Sequence, residues 1–170
     1  MRRVLVIGSS GSGKSTLARA LGQRLGLPVV HLDRHFWRAG WVEPSPETWA
    51  AQVGRLLEAD AWVMDGNHRT RMAARLARAD AVVFLDLPRA LCLLGVVRRR
   101  LQFAGRTRPS MAPGCRERVS WDFLRYVWSY PTARRPDVLR LLGAADGVRV
   151  VRLRSRREVR AFLDGLPPHP

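Results

Sequence analysis

Residues 2–25 read RRVLVIGSSGSGKSTLARALGQRL, and no other stretch limits the fold as strongly. Arg2 to Ile7 is a short apolar run rich in β-branched residues, the pattern of a buried strand. Gly8 to Thr16 is a glycine- and serine-rich loop. TLARALGQRLG then places Leu17, Ala20, Leu21 and Leu25 at helical spacing, and Gly26 and Pro28 end that helix. The loop fits G-x-x-x-x-G-K-[ST] at Gly8, Gly13, Lys14 and Ser15. With this composition a chance match is expected roughly 0.0005 times per chain, before the strand and helix are required. Lys14 is the only lysine among 30 basic residues; the rest are arginine. A compact ammonium on a flexible stem reaches β- and γ-phosphate oxygens where a planar guanidinium substitutes poorly. The loop therefore predicts a nucleotide cradle formed by Gly8, Ser9, Ser10, Gly11, Ser12, Gly13, Lys14, Ser15 and Thr16. Backbone N–H groups and the helix N-terminus meet the phosphates there. Ser15 offers a hydroxyl to Mg²⁺.

The rest of the chain alternates strands and helices. Strands are expected at Val29–Leu32, Ala61–Met64, Ala81–Leu87 and Val148–Leu153. Helices are expected from Ser45-Pro46 to about Glu58, about Thr70 to Arg78, Arg89 to about Leu101, near Val119 to before Pro131, and Pro136 to about Leu142. Ser155 to Glu158 form a capping box that opens a last helix. Several strands are continuously apolar, which means parallel βαβ units covered on both faces. At 170 residues, with no long linker, one domain is expected over 1–170. Ligands in such sheets sit at the carboxyl ends of strands, where Asp33, Asp65 and Asp86 all fall. Asp86, followed by Leu-Pro, reads as structural. Asp33 and Asp65 could each be a turn or cap residue, but their place beside the loop favours function.

Composition narrows the class further. Cys92 and Cys115 form neither a disulfide framework nor a C-x-x-C metal motif. The apolar start is too short for a signal-peptide core and the longest later run too short to span a bilayer, so a cytoplasmic protein without a membrane partner is expected. A net charge of +16 attracts anions, nucleic acid included, although an arginine-rich composition also follows from a GC-rich genome. His31, Asp33 and His35 would clamp a metal only if the strand continued past Asp33. Trp37, Trp41 and Trp49 either stack on a base or apolar acceptor or form a small core of their segment.

Three stretches resemble the nucleotide-kinase-like branch of P-loop NTPases, the adenylate kinases, shikimate kinases and their small relatives. They are GSSGSGKST, WVMDG, and VVFLDLP with a following helix that ends in Arg98-Arg99-Arg100. More narrowly, HLDRHFWRAGW, WVMDGN, RRRLQFAGRTRP and LRYVW resemble the bacterial DNA topology modulation proteins, an adenylate-kinase-like group. The resemblance implies a three-layer α/β P-loop kinase fold: a five-stranded parallel sheet, helices on both faces and a basic helical lid. It implies an acceptor-binding segment at 33–60 and a lid at 98–130. It implies ATP and Mg²⁺ as cofactors, with Ser15 and Asp65 at the metal. Asp33, His35, Trp37 and Asp65 fall on the acceptor side. Arg99, Arg106, Arg108, Arg116 and Arg118 fall in the lid, with Arg125 reaching in from the next helix. Arg154 and Arg156 fall at the adenine. Two departures, Asn67-His68 after Asp-Gly and a lone lid cysteine, speak against true adenylate kinase activity. Two functions follow: a kinase for a nucleoside, nucleotide or other hydroxylated metabolite, or a nucleic-acid-directed protein (a topology modulator or polynucleotide kinase) using the same ATP site.

Overall fold

The computed structural model describes residues 1–68 and 71–167. Strand β1, Arg3–Gly8, has no polar side chain beyond Arg3, because both its faces are covered. Leu5 and Ile7 point into one core and Val4 and Val6 into the other. The remaining strands are β2 at Val29–His31, β3 at Trp62–Asp65, β4 at Ala81–Leu85 and β5 at Arg149–Leu153. All pair in parallel, in the order β2-β3-β1-β4-β5. The register sets Val6 opposite Asp65 and Gly8 opposite Leu85, so the strand carrying the loop is central and ends level with its neighbours.

Helix α1, Lys14–Leu25, lays Leu17, Ala18 and Leu21 on one face of the sheet with the last helix, α8, Arg156–Asp164. The opposite face is covered by α3, Pro46–Glu58, α4, Met72–Arg78, and α7, Arg135–Gly143, through Trp49, Val53, Leu57, Met72, Leu76 and Leu142. Helices α5, Arg89–Gln102, and α6, Trp121–Ala133, form a hairpin around Cys92, Val96 and Val127. The irregular stretch between them, residues 103–120, lies over the carboxyl edge of the sheet. The α/β architecture, the five parallel strands and most element positions match expectation. Ser45 caps α3 with Pro46 at its first position, and Ser155 accepts the Glu158 N–H at 3.1 Å.

Two elements differ. Leu32 was expected to end a strand, but the chain turns after His31 into a short helix, α2, Leu32–Phe36. Leu32 is fully buried there, and this turn sends Asp33 towards the cleft. The helix expected to stop before Pro131 runs through it to Ala133. Proline removes one hydrogen bond, near the end of the helix. Buried Val127 and Tyr130 hold the turn before it, and the Arg134 N–H bonds the Tyr130 carbonyl at 3.0 Å. Thr70, the expected start of the helix at Met72, lies outside the described residues. Asp86, read as structural, keeps its side chain 7% exposed and pairs with Arg135 at 2.8 Å and with Arg152. Among the described residues no helix is long and apolar enough to cross a membrane.

Candidate active site

The turn from β1 to α1 places Gly8, Gly11 and Gly13 at positive φ, a conformation that favours glycine. Gly13 caps α1 with φ +97°, and no side chain satisfies the first N–H groups of the helix. Those donors and the positive end of the helix dipole are left for an anion. Gly11, at φ +78°, packs against Gly95 of α5; a Cβ on Gly95 would lie 2.1 Å from the Gly11 carbonyl oxygen. Helix α5 is thus pressed onto the phosphate loop, and the contact admits no methyl group. Gly95→Ala is expected to cost about 3 kcal/mol of stability and to weaken nucleotide binding, read by urea unfolding and ATP titration.

Within the loop, Lys14 Nζ donates to the Ser9 carbonyl at 2.9 Å, while the buried Ser12 hydroxyl has no hydrogen-bond partner among the described residues. Burial lowers the Lys14 pKa; Asp33 and Asp65 oppose the shift and the charges of Arg108 and Arg99 add to it. Ser15 Oγ donates to Asp65 Oδ2 at 2.6 Å. Asp65 Oδ1 is held by His31 Nδ1. A hydroxyl and a carboxylate oxygen so placed, beside a helix N-terminus without a side-chain cap and the Ser12 hydroxyl, suit a hard cation and the phosphates it accompanies. Asn67 fastens the loop from the side: its Oδ1 accepts the Gly8 N–H at 3.0 Å and its Nδ2 donates to the Gly8 carbonyl.

Asp33 stands across the cleft. Its Oδ1 meets His68 Nε2 at 3.1 Å and its Oδ2 accepts from Arg108 Nη2 at 3.0 Å. Desolvation alone would raise this carboxyl, but the His68 hydrogen bond and the charges of Arg108, His68 and Lys14 outweigh it and bring the pKa to about 2. The side chain keeps 40% of its exposure because it faces the cleft. His68 is set by packing against Phe36 and Trp49. Its backbone is set by buried Arg75, which donates to the Gly66 carbonyl at 2.9 Å and to the His68 carbonyl. Burial lowers the Arg75 pKa to about 10.

From α5 and the stretch after it, Arg99 Nε donates to Glu117 Oε1 at 2.7 Å, and Arg108 Nε lies 3.7 Å from Glu117 Oε2. Arg118 lies over the Trp41 ring at 4.7 Å, and Trp41 Nε1 donates to the Arg116 carbonyl at 3.2 Å. Met111, Ala112 and Cys115 close that end against Trp37 and Trp41. The cleft is about 1090 Å³.

Of the residues singled out from sequence, Ser10, Gly11, Gly13, Lys14, Ser15, Thr16, Asp33, Trp37, Asp65, Arg99, Arg108, Arg118 and Arg156 line this cleft. Gly8, Ser9 and Ser12 lie buried beneath it. Trp49 belongs to the core, and Trp41 lines the cleft. His35, Arg106, Arg116, Arg125 and Arg154 are not among the lining residues. His35 sits half-buried on α2, its pKa lowered by burial and by the charges of Arg34 and His31. Arg106 and Arg116 are exposed and contribute backbone carbonyls to lid contacts. Arg125 is 81% exposed and pairs with Asp122 at 3.8 Å. Arg154 is exposed, its N–H donating to Glu158 at 2.9 Å. Sequence reasoning missed His68, Asn67 and Glu117. Glu117 had a signal: it is the only acid between Asp86 and Asp122, in a run with eight arginines. Among the described residues no group of three His, Cys, Asp or Glu could hold a metal ion, so His31, Asp33 and His35 make no clamp.

Residues 4–87 match the model of the ATPase family associated with various cellular activities (AAA). An adenylate kinase of Gloeobacter violaceus is 33% identical, over 58% of this chain and 58% of that protein, so the match spans a little over half of that relative. A shikimate kinase from Acinetobacter baumannii, solved with shikimate, superposes with a TM-score of 0.60 at 18% identity, covering 96% of this chain and 89% of that one. A gluconokinase from Sinorhizobium meliloti 1021 superposes with a TM-score of 0.53 at 19% identity, covering 96% and 91%. Over residues 4–87 the chain is thus similar to that ATPase family, and its α/β fold, with a five-stranded all-parallel sheet, is that of the shikimate kinase and gluconokinase structures.

Proposed function

We propose that this protein is an ATP·Mg²⁺-dependent phosphotransferase that phosphorylates a hydroxyl of a small molecule, a nucleoside, nucleotide or other hydroxylated metabolite. The observation that carries the reading is the convergence of Lys14, the Ser15–Asp65 pair, Asp33 and two lid arginines on one cleft. In this reading the loop and α1 hold the β- and γ-phosphates of ATP. Ser15 and Asp65 would hold Mg²⁺, which would supply neutralisation of phosphate charge. Asp33 accepts a hydrogen bond from the acceptor hydroxyl and aims its oxygen at the γ-phosphorus. That oxygen forms the new bond as the bond between the γ-phosphorus and the β–γ bridging oxygen breaks; ADP carries away the electron pair, and the hydroxyl proton leaves late, to a transferred phosphoryl oxygen and from there to solvent. Lys14, Arg99 and Arg108 meet the charge that spreads over the transferring oxygens. A carboxyl with a pKa of about 2 is a weak base. Orientation is therefore the main contribution of Asp33, which suffices for a loose transition state.

We take 98–130 as the lid, 33–60 as the acceptor segment and 1–170 as one domain working in the cytoplasm, where ATP is supplied. The alternative, a nucleic-acid-directed protein such as a topology modulator, rests on the net charge of +16 and the tryptophans. It is not favoured: of the cleft-lining arginines, Arg99 and Arg108 are paired with Glu117 and Asp33 and Arg118 lies over Trp41, while Trp49 is core.

The test is transfer of label from γ-labelled ATP with Mg²⁺ to nucleosides, nucleoside monophosphates, small hydroxylated metabolites and 5′-hydroxyl oligonucleotides. A labelled small molecule is expected. Label on the oligonucleotide alone would move the assignment to polynucleotides. Binding of ATP without any transfer would overturn it.

A further inference from the structure

Glu117 carries no role so far. Its side chain is only 2% exposed, in a lid otherwise rich in arginine. Its backbone is fixed where the lid loop closes on itself: the Glu117 N–H donates to the Arg106 carbonyl at 2.9 Å, and Glu117 bridges to Ala104. From there one carboxylate reaches two guanidiniums, Arg99 Nε at 2.7 Å and Arg108 Nε at 3.7 Å. Both contacts use the inner nitrogen of the guanidinium. The terminal nitrogens remain the part that can meet a ligand, and Arg108 already directs Nη2 into the cleft at Asp33.

The electrostatics make this carboxylate necessary. Burial lowers the Arg99 pKa, the neighbouring Arg108 charge lowers it further, and Glu117 pulls it back. Two partly buried guanidiniums side by side repel; a buried anion between them offsets that repulsion and fixes their spacing. A surface carboxylate would be screened and would hold neither side chain in one geometry.

We infer that Glu117 is a positioning residue, which holds Arg99 and Arg108 as one cationic pair directed at the terminal phosphate of the bound nucleotide. The inference rests on the kinase reading of the cleft. It predicts discrimination between nucleotides, because only a triphosphate presents a γ-phosphate to the pair.

The test measures binding of a non-hydrolysable ATP analogue and of ADP, both with Mg²⁺, to the full chain by calorimetry. Glu117→Gln keeps size and one acceptor oxygen but removes the charge. It is expected to weaken the analogue about tenfold, the worth of one charge-assisted hydrogen bond, and to change ADP less than twofold. Glu117→Asp, which restores the charge on a shorter stem, should recover part of the loss and serves if the Gln variant folds poorly. Adding Glu117→Gln to Arg99→Met/Arg108→Met should cause no further loss, because the carboxylate acts through those two side chains. Equal losses for ADP and the analogue, no loss, or a loss additive with the arginine changes would each overturn the inference. A wild-type protein that binds ATP but phosphorylates nothing would remove the kinase reading, while the ATP-to-ADP ratio would still decide the role of Glu117.

Discussion

Lys14→Ala is expected to reduce phosphoryl transfer by about a thousandfold, the scale seen when a preorganised charge is removed from a transferring group. Its effect on stability should be small or even favourable. Burial holds the Lys14 pKa below its usual value, so its charged form costs the folded state free energy. The sign follows from linkage: a lysine with a lowered folded pKa penalises the native state while charged, and the penalty is relieved as pH rises through that pKa. The alanine variant should therefore melt at or above the wild-type temperature while losing turnover. Lys14→Arg should fail nearly as badly, because a planar fork cannot follow the stem that now reaches back to the Ser9 carbonyl. Labelled-ATP transfer and thermal unfolding on the same samples check both halves. Full turnover in Lys14→Ala would remove the phosphate-loop assignment.

Asp33→Asn is expected to lower kcat by at least about a hundredfold, the lower range for a group that orients or deprotonates a nucleophile. The fold should stay intact, because an amide still bonds His68. The pH dependence is specific. With its pKa at about 2, Asp33 is ionised throughout the working range. A depressed carboxyl contributes stability that is present above its ordinary value near 3.8 and is lost as pH falls through about 2. Asp33 should thus add no inflection to the rate profile between pH 5 and 8. An inflection there in the wild type that vanishes in Asp33→Asn would mean that Asp33 acts as a titrating base, contrary to the orienting role.

The parts of the site that were legible in sequence are those in which local chemistry dictates local structure. A continuously apolar strand, a glycine loop and a helix with Lys14 at its start form a phosphate cradle from contacts within a dozen residues. Ser45-Pro46 and the Ser155–Glu158 box marked helix starts for the same reason: the capping atoms lie three residues from the N–H groups they satisfy. Asp33 and Asp65 could be placed at strand ends, but not their partners. Asp33 meets Arg108, 75 residues later, and His68, 35 residues later. Leu32 looked like strand because it is apolar; it is helix because the core under α3 and β3 buries it completely.

The lid divides most clearly. The sequence showed eight arginines between Asp86 and Asp122, and type alone cannot rank them. Their separation into cleft-facing Arg98, Arg99, Arg108 and Arg118 and outward Arg106 and Arg116 depends on how the loop closes through Glu117 and docks on Trp37 and Trp41. By itself the sequence determined the nucleotide cradle and the parallel α/β scaffold, since backbone conformation, periodicity and caps are encoded within a turn or two of chain. Only the tertiary structure decided which charges share the cleft and which hold one another in place. Those pairings join segments tens of residues apart, and their strength depends on burial that exists only after the sheet, α5 and the lid have packed together.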